Sequence, residues 1–137
     1  MRILGIDYGD KKIGLAFGDS SARVAVPLEV IRNEGNITLQ ELLRRIEEED
    51  IDCVVVGVPL PQGNHSSIQL DKTRAFIATL TALVKVPVVE EDESFTSAES
   101  IRLQREFNAQ ADEDALAAML IVQSYIDQLS VVSNVEL

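Results

Sequence analysis

The spacing of apolar and polar residues changes period several times along the chain. Residues 2–7 (RILGID) and 13–18 (IGLAFG) read as two strands. The short turn YGDKK between them favours an antiparallel hairpin. Residues 23–31 (RVAVPLEVI) give a third strand, in which Pro27 marks an edge, a bulge or a break. Ile37, Leu39, Leu42, Leu43 and Ile46 then recur at helical spacing, predicting a helix over 37–49. Its outer face carries Glu41, Arg44, Arg45 and the acidic run EEED, read as a solvated face. Residues 52–58 (DCVVVGV) are almost continuously apolar, the pattern of a strand covered on both faces and therefore of a parallel one. PLPQGN breaks the chain. A helix follows over 66–85, with Ile68, Phe76, Ile77, Leu80 and Val84 on its inner face. Residues 86–93 (VPVVEEDE) form another buried strand that turns acidic at its carboxyl end. Thr96 and Glu99 make a capping box that starts a helix. The last helix spans 112–129, with Leu116, Met119, Val122, Ile126 and Leu129 facing in, and residues 130–137 are expected to fray.

The order β-β-β-α-β-α-β-α-α, a meander followed by βαβ crossovers, predicts a mixed α/β sheet with helices on both sides and the first strand near its middle. No repeat or linker interrupts the chain, and its 137 residues suit a single domain over 1–137. With 46% hydrophobic and 26% charged residues, the composition is that of an ordinary globular protein. No apolar run approaches the roughly 20 residues of a membrane helix. Arg2, Asp7, Asp10, Lys11 and Lys12 interrupt any signal-peptide pattern. The single cysteine, Cys53, offers neither a disulfide nor a metal-site spacing and reads as a small buried hydrophobe. These features point to the cytoplasm and to no membrane partner. The net charge of −11 opposes long-range attraction to nucleic acid but suits carboxylates that collect divalent cations.

Asp7 ends the first strand where an apolar residue is expected. A lone buried carboxylate costs several kcal/mol unless it is paired, hydrogen-bonded or metal-bound. One reading is structural: Asp7 accepts hydrogen bonds from the turn at 9–12 or pairs with Lys11 or Lys12. The other rests on two further acidic sites, Asp92-Glu93 at the carboxyl end of the last strand and Asp112-Glu113-Asp114 at the start of the last helix. Functional groups in open α/β sheets gather at the carboxyl ends of parallel strands, so acids from three segments can converge there. Like charges that converge need neutralising, and Mg²⁺ or Mn²⁺ does this with oxygen ligands. Two such ions, about 4 Å apart, activate a water and stabilise the leaving oxygen of a phosphodiester. Asp112 reads as an N-cap and Asp114 as the ligand. Adjacent strand residues face opposite ways, so only one of Asp92 and Glu93 faces the pocket if the strand stays extended. The longer Glu93 is preferred, with Asp92 as a further ligand or a helix cap.

GIDYGDKKIGLAFGD, VVVGVPL, VVEEDESFTSAES and DALAAMLIVQSYID, in that order, resemble the YqgF family of pre-16S ribosomal RNA nucleases, also called Holliday-junction-resolvase-like. The resemblance covers about residues 2 to 128. It implies an RNase H-like fold with strand order 3-2-1-4-5 and metal-dependent phosphodiester hydrolysis. The family's acidic positions fall on Asp7, Asp92-Glu93 and Asp114. This chain departs from the pattern in three places. Ser94 stands where arginine is usual, the segment from Asp92 to Asp114 is short, and FNAQADED lacks the usual lysines before the last aspartate. Fewer cations mean fewer phosphate contacts.

The catalytic candidates are thus Asp7, Glu93 and Asp114, and the metal candidates are these three with Asp92, holding two Mg²⁺ or Mn²⁺ ions. Lys11, Lys12 and Arg74 are the substrate-binding candidates, with surface solubility as the competing reading for the two lysines. Residues 57–63 are candidates to line a groove, and His65 receives no role. The implied reaction is endonucleolytic cleavage at the 5′ end of a pre-16S ribosomal RNA, with the ribosome as a further partner. Alternatives are a junction-resolving DNA nuclease, which needs a dimer, a nucleotide-binding module, and a silent RNA-binding assembly factor. A monomer or weak dimer is expected.

Overall fold

The computed structural model describes residues 1–59, 67–93 and 113–135, the side chains of residues 67 and 130–135 excepted. The expected capping box at Thr96 and Glu99, Asp112, His65 and residues 60–63 of the expected groove lie outside the described residues.

Five strands form one sheet: β1 (Arg2–Tyr8), β2 (Lys12–Asp19), β3 (Val24–Arg32), β4 (Cys53–Pro59) and β5 (Val88–Glu93). The spatial order is β3-β2-β1-β4-β5. β1 is central, antiparallel to β2 and parallel to β4, and β4 is parallel to β5. The sheet is therefore mixed, as the meander followed by crossovers requires. β3 is an edge strand, and its register against β2 shifts between Leu15 and Ala16, so Leu28 is skipped beside Pro27. Pro27 thus marks both an edge and a bulge, where a missing N–H does least harm.

Three described helices flank the sheet: α1 (Asn36–Glu48), α2 (Ser67–Leu83) and α3 (Glu113–Val135). Side-chain alternation divides the core in two. On one face Leu4, Ile6, Ile13, Leu15, Val54 and Val56 pack with Leu42 and Ile46 of α1 and Ile77 and Leu80 of α2. On the other, Ile3, Ala16, Cys53 and Val55 pack with Leu116, Met119, Val122 and Ile126 of α3. β4 is buried along nearly its whole length because both layers cover it. Ile37 and Ile68, which fit the apolar spacing of their helices, are instead 70% and 71% exposed. Each lies in the first turn of its helix; in α2 that turn sits level with the end of β1, where the Gln69 amide reaches the Tyr8 carbonyl. α3 runs six residues past the expected end at Leu129, since SVVSNV contains no proline or glycine to stop it. Among the described residues no helix is long and apolar enough to cross a membrane.

Candidate active site

The chain builds the site by letting α3 lie unusually close to the sheet. Gly5 of β1, Gly14 and Gly18 of β2 and Gly57 of β4 all face α3, and a Cβ on any of them would collide with it. The tightest approach is at Gly14, where the added carbon would strike the carbonyl of Asp114 in the first turn of α3. Gly14 is also the cross-strand partner of Asp7. A glycine in mid-strand thus lands the first turn of α3 beside the end of β1.

Gly57 performs the same service for the third acid. β4 lies between β1 and β5, so Glu93 must reach over it to meet Asp7. A Cβ on Gly57 would sit 2.7 Å from Glu93 Oε1. With only hydrogen there, the Glu93 carboxylate crosses the strand and hydrogen-bonds the Asp7 carboxyl. Burial first, then that hydrogen bond, then the like charges of Glu93 and Asp114 push the Asp7 carboxyl from 3.8 up to about 8. At neutral pH Asp7 therefore keeps its proton and donates it to Glu93. The acids at 7, 93 and 114 form one electrostatic unit at one rim of the sheet.

Alternation along β5 separates the adjacent pair. Glu91, two residues before Glu93, accepts hydrogen bonds from Ser124 Oγ (2.8 Å) and Gln128 Nε2 (2.5 Å) of α3. Glu90 instead meets Arg74 of α2 at 3.5 Å. Odd positions of β5 thus face α3 and even ones face α2, which puts exposed Asp92 on the far side of the sheet from Asp7. The structure does not bring Asp92 to the other three acids. Nor does it bring Arg74, which is turned towards Glu90 on that opposite face. Helical spacing marks Arg74 as outward-facing but cannot say on which side of the sheet its helix lies.

Lys11 and Lys12 are exposed, and no ion pair joins either to Asp7 among the described residues. Alternation through Gly14 places Lys12 on the α3 face at the rim. The turn before it is tied down by Asn33, whose backbone N–H donates to the Lys11 carbonyl (2.9 Å) and whose side-chain amide donates to that of Gly9 (2.9 Å). Asp10 pairs with Lys72 at 3.1 Å. Cys53 is 2% exposed, and burial pushes its thiol up, as suits a small core residue.

Sequence reasoning missed Gly14 and Glu91. The signal for Gly14 was a glycine inside a strand; for Glu91 there was none, because its partners sit on α3, more than thirty positions away.

A cation would have to fit this donor set. It consists of three carboxyl groups, all hard oxygen donors: Asp7 and Glu93 share one hydrogen bond, and the charge of Asp114 acts on Asp7 beside them. Among the described residues no three such side chains stand close enough to hold one ion in their present rotamers. The chemistry of the donors nevertheless fits Mg²⁺ or Mn²⁺, since the proton between Asp7 and Glu93 occupies the place of missing positive charge.

A mixed five-stranded sheet in the order β3-β2-β1-β4-β5, with acids at the end of its central strand, defines an RNase H-like protein. Solved structures agree in fold. A Fowlpox virus resolvase with substrate Holliday junction DNA superposes with a TM-score of 0.62 at 16% identity, over 94% of this chain and 99% of that one. T. thermophilus RuvC in complex with a Holliday junction substrate gives 0.65 at 16% identity, over 90% and 91%. The sequence pattern of the family described as "RuvX: Holliday junction resolvase" matches residues 1–128, and the chain belongs to that family, also known as YqgF. Relatives bearing the name "Putative pre-16S rRNA nuclease" include one from Ruminiclostridium cellulolyticum, 30% identical over 95% of this chain and 96% of its own length. Another, from Streptococcus agalactiae, is 33% identical over 94% and 99%. The chain is accordingly a nuclease, a hydrolase of phosphoric ester bonds.

Proposed function

We propose that the chain is a divalent-metal-dependent endonuclease that cleaves structured RNA, with the 5′ end of pre-16S ribosomal RNA as its substrate. The observation that carries this reading is the convergence of Asp7, Glu93 and Asp114, one from the end of β1, one from the end of β5 and one from the start of α3. The names of the relatives supply the substrate. Asp7, Glu93 and Asp114 would hold Mg²⁺ or Mn²⁺ through their carboxylate oxygens. Such ions, when bound, lower the pKa of a water and stabilise charge on the leaving oxygen of a phosphodiester.

The chain's own residues do the rest. Asp7 must give up the proton it shares with Glu93 to serve as a ligand, so metal binding releases a proton and strengthens as pH rises. Lys12, at the rim on the same face, meets a phosphate of the bound strand, with Lys11 beside it. Cations held there would offset the chain's net charge of −11 where the phosphate must approach.

The test is cleavage of a pre-16S ribosomal RNA fragment and of four-way junction DNA with Mg²⁺, with Mn²⁺ and with chelator, by the wild type and Asp7→Asn. Metal-dependent cleavage of the RNA that is lost in Asp7→Asn is the expected result. Equal activity in the two proteins would defeat the assignment. Junction DNA is the second reading, favoured by the family's description and by the two resolvase structures that share the fold. Faster cleavage of the junction than of the RNA, by a dimer, would establish it instead.

A further inference from the structure

At the opposite end of the sheet from Asp7, the C-terminal turns of α1 and α2 stand over the starts of β4 and β5 and enclose an open groove of about 570 Å³. Its floor is apolar, formed by Leu43, Ile46, Ile51 and Leu83 with the residues around them. Leu83, which lines the groove, is 53% exposed. The rim is acidic: Glu47, Asp50 and Asp52 face a single cation, Lys85.

The charges on this rim run against local preference. A helix C-terminus presents electronegative carbonyls and favours lysine or arginine. The last turn of α1 does carry Arg45, but its guanidinium is taken by Glu29 and Glu41, and the run EEED follows it. Within that run Glu49 is met by Arg2 and Glu48 by Arg44. Glu47 and Asp50, the two that line the groove, have no cationic partner among the described residues. Asp50 also holds φ at 52°, the left-handed position just past a helix where glycine is usual. Nothing in phosphodiester hydrolysis calls for acids here, since the length of the sheet separates them from Asp7.

We propose that this groove docks a basic segment of a partner protein: a short stretch with one or two aliphatic side chains flanked by lysine or arginine. The aliphatic groups cover Leu83 and the floor. The cations meet Glu47 and Asp50, the two groove-lining acids of the run EEED with no cationic partner among the described residues. Nucleic acid has the wrong sign for this rim. A second copy of the chain would bring further negative charge to it.

The test uses the full chain and fluorescein-labelled peptides of sequence KRLLRK and KRGGRK, followed by anisotropy at low and high salt and by amide chemical shifts. KRLLRK is expected to bind about tenfold more tightly than KRGGRK, a difference of about 1.4 kcal/mol. Its shifts should concentrate at Leu43, Ile46, Ile51 and Leu83. Leu83→Ser should abolish the preference for leucine, and Glu47→Lys with Asp50→Lys should weaken both peptides about tenfold. The milder pair Glu47→Gln and Asp50→Asn should act in the same direction, and nuclease activity should be unchanged in all of these variants. Equal affinity for the two peptides would reveal diffuse attraction to an acidic surface and overturn the proposal. So would indifference of binding to the variants, or a dimer of the free chain that Leu83→Ser dissolves.

Discussion

Replacing Asp7 by asparagine should make the metal-free protein more stable while destroying its activity. In the wild type Asp7 ionises near 3.8 when the chain is unfolded but only near pH 8 when folded. The sign follows directly. A carboxyl whose folded pKa is raised stabilises the fold fully below pH 4, and that stability is lost as pH rises through 8. At pH 7 the folded state must take up a proton that the unfolded state has released. At about 1.4 kcal/mol per pH unit above 3.8, this costs about 4 kcal/mol, with a ceiling of about 6 kcal/mol above pH 8. Asparagine carries no such cost, and its amide can still donate to Glu93 across Gly57. Because Glu93 shares the proton, a gain of a few kcal/mol is the working expectation, which for a chain of this size raises Tm by about 10 °C. The assay is thermal unfolding in chelator at pH 4, 7 and 9. The two proteins should melt together at pH 4 and diverge with rising pH, the variant above. Adding Mn²⁺ should raise the wild type and leave the variant nearly where it was. A variant no more stable than the wild type at pH 9 would refute the electrostatic account of the site. The same variant cleaving RNA at the wild-type rate would refute its catalytic role.

Four further outcomes are expected. Gly57→Ala pushes on Glu93 Oε1 and should loosen its bond to Asp7, lowering the Asp7 pKa seen by carboxyl NMR titration; Gly14→Ala should lift the start of α3, costing about 1–3 kcal/mol in urea unfolding and weakening Mn²⁺ affinity. Ser124→Ala leaves the buried Glu91 carboxylate with one donor fewer and should cost about 1–3 kcal/mol in the same assay, without changing the pH profile of cleavage. Lys12→Ala should weaken substrate binding and reduce the slope of log affinity against log salt by about one, whereas Arg74→Ala, on the far face, should leave both slope and affinity unchanged.

Periodicity carried most of the architecture. The shift from alternation in IGLAFG to a 3.6-residue repeat after Ile37, and then to the unbroken CVVVGV, was enough to order the elements and to put β1 in the middle. The site was legible as a set of acids but not as a geometry. Alternation said that Asp92 and Glu93 face opposite ways; only the bonds from Ser124 and Gln128 to Glu91 show which way each faces. Arg74 shows the reverse problem, because helical spacing identifies a solvent face without saying which layer the helix joins. A glycine inside a strand flags Gly14 and Gly57 without saying what approaches them. A missing Cβ matters only through what approaches it, and both neighbours come from distant parts of the chain.

The glycine track beneath α3 affects how any mutational survey of this chain would read. Substitutions at positions 5, 14, 18 and 57 would score as silenced enzyme, much as loss of a carboxylate does, although none of these residues has a side chain to offer the reaction. Melting curves sort the two groups. Track variants should lose stability together with turnover, whereas Asp7→Asn should gain stability as turnover falls.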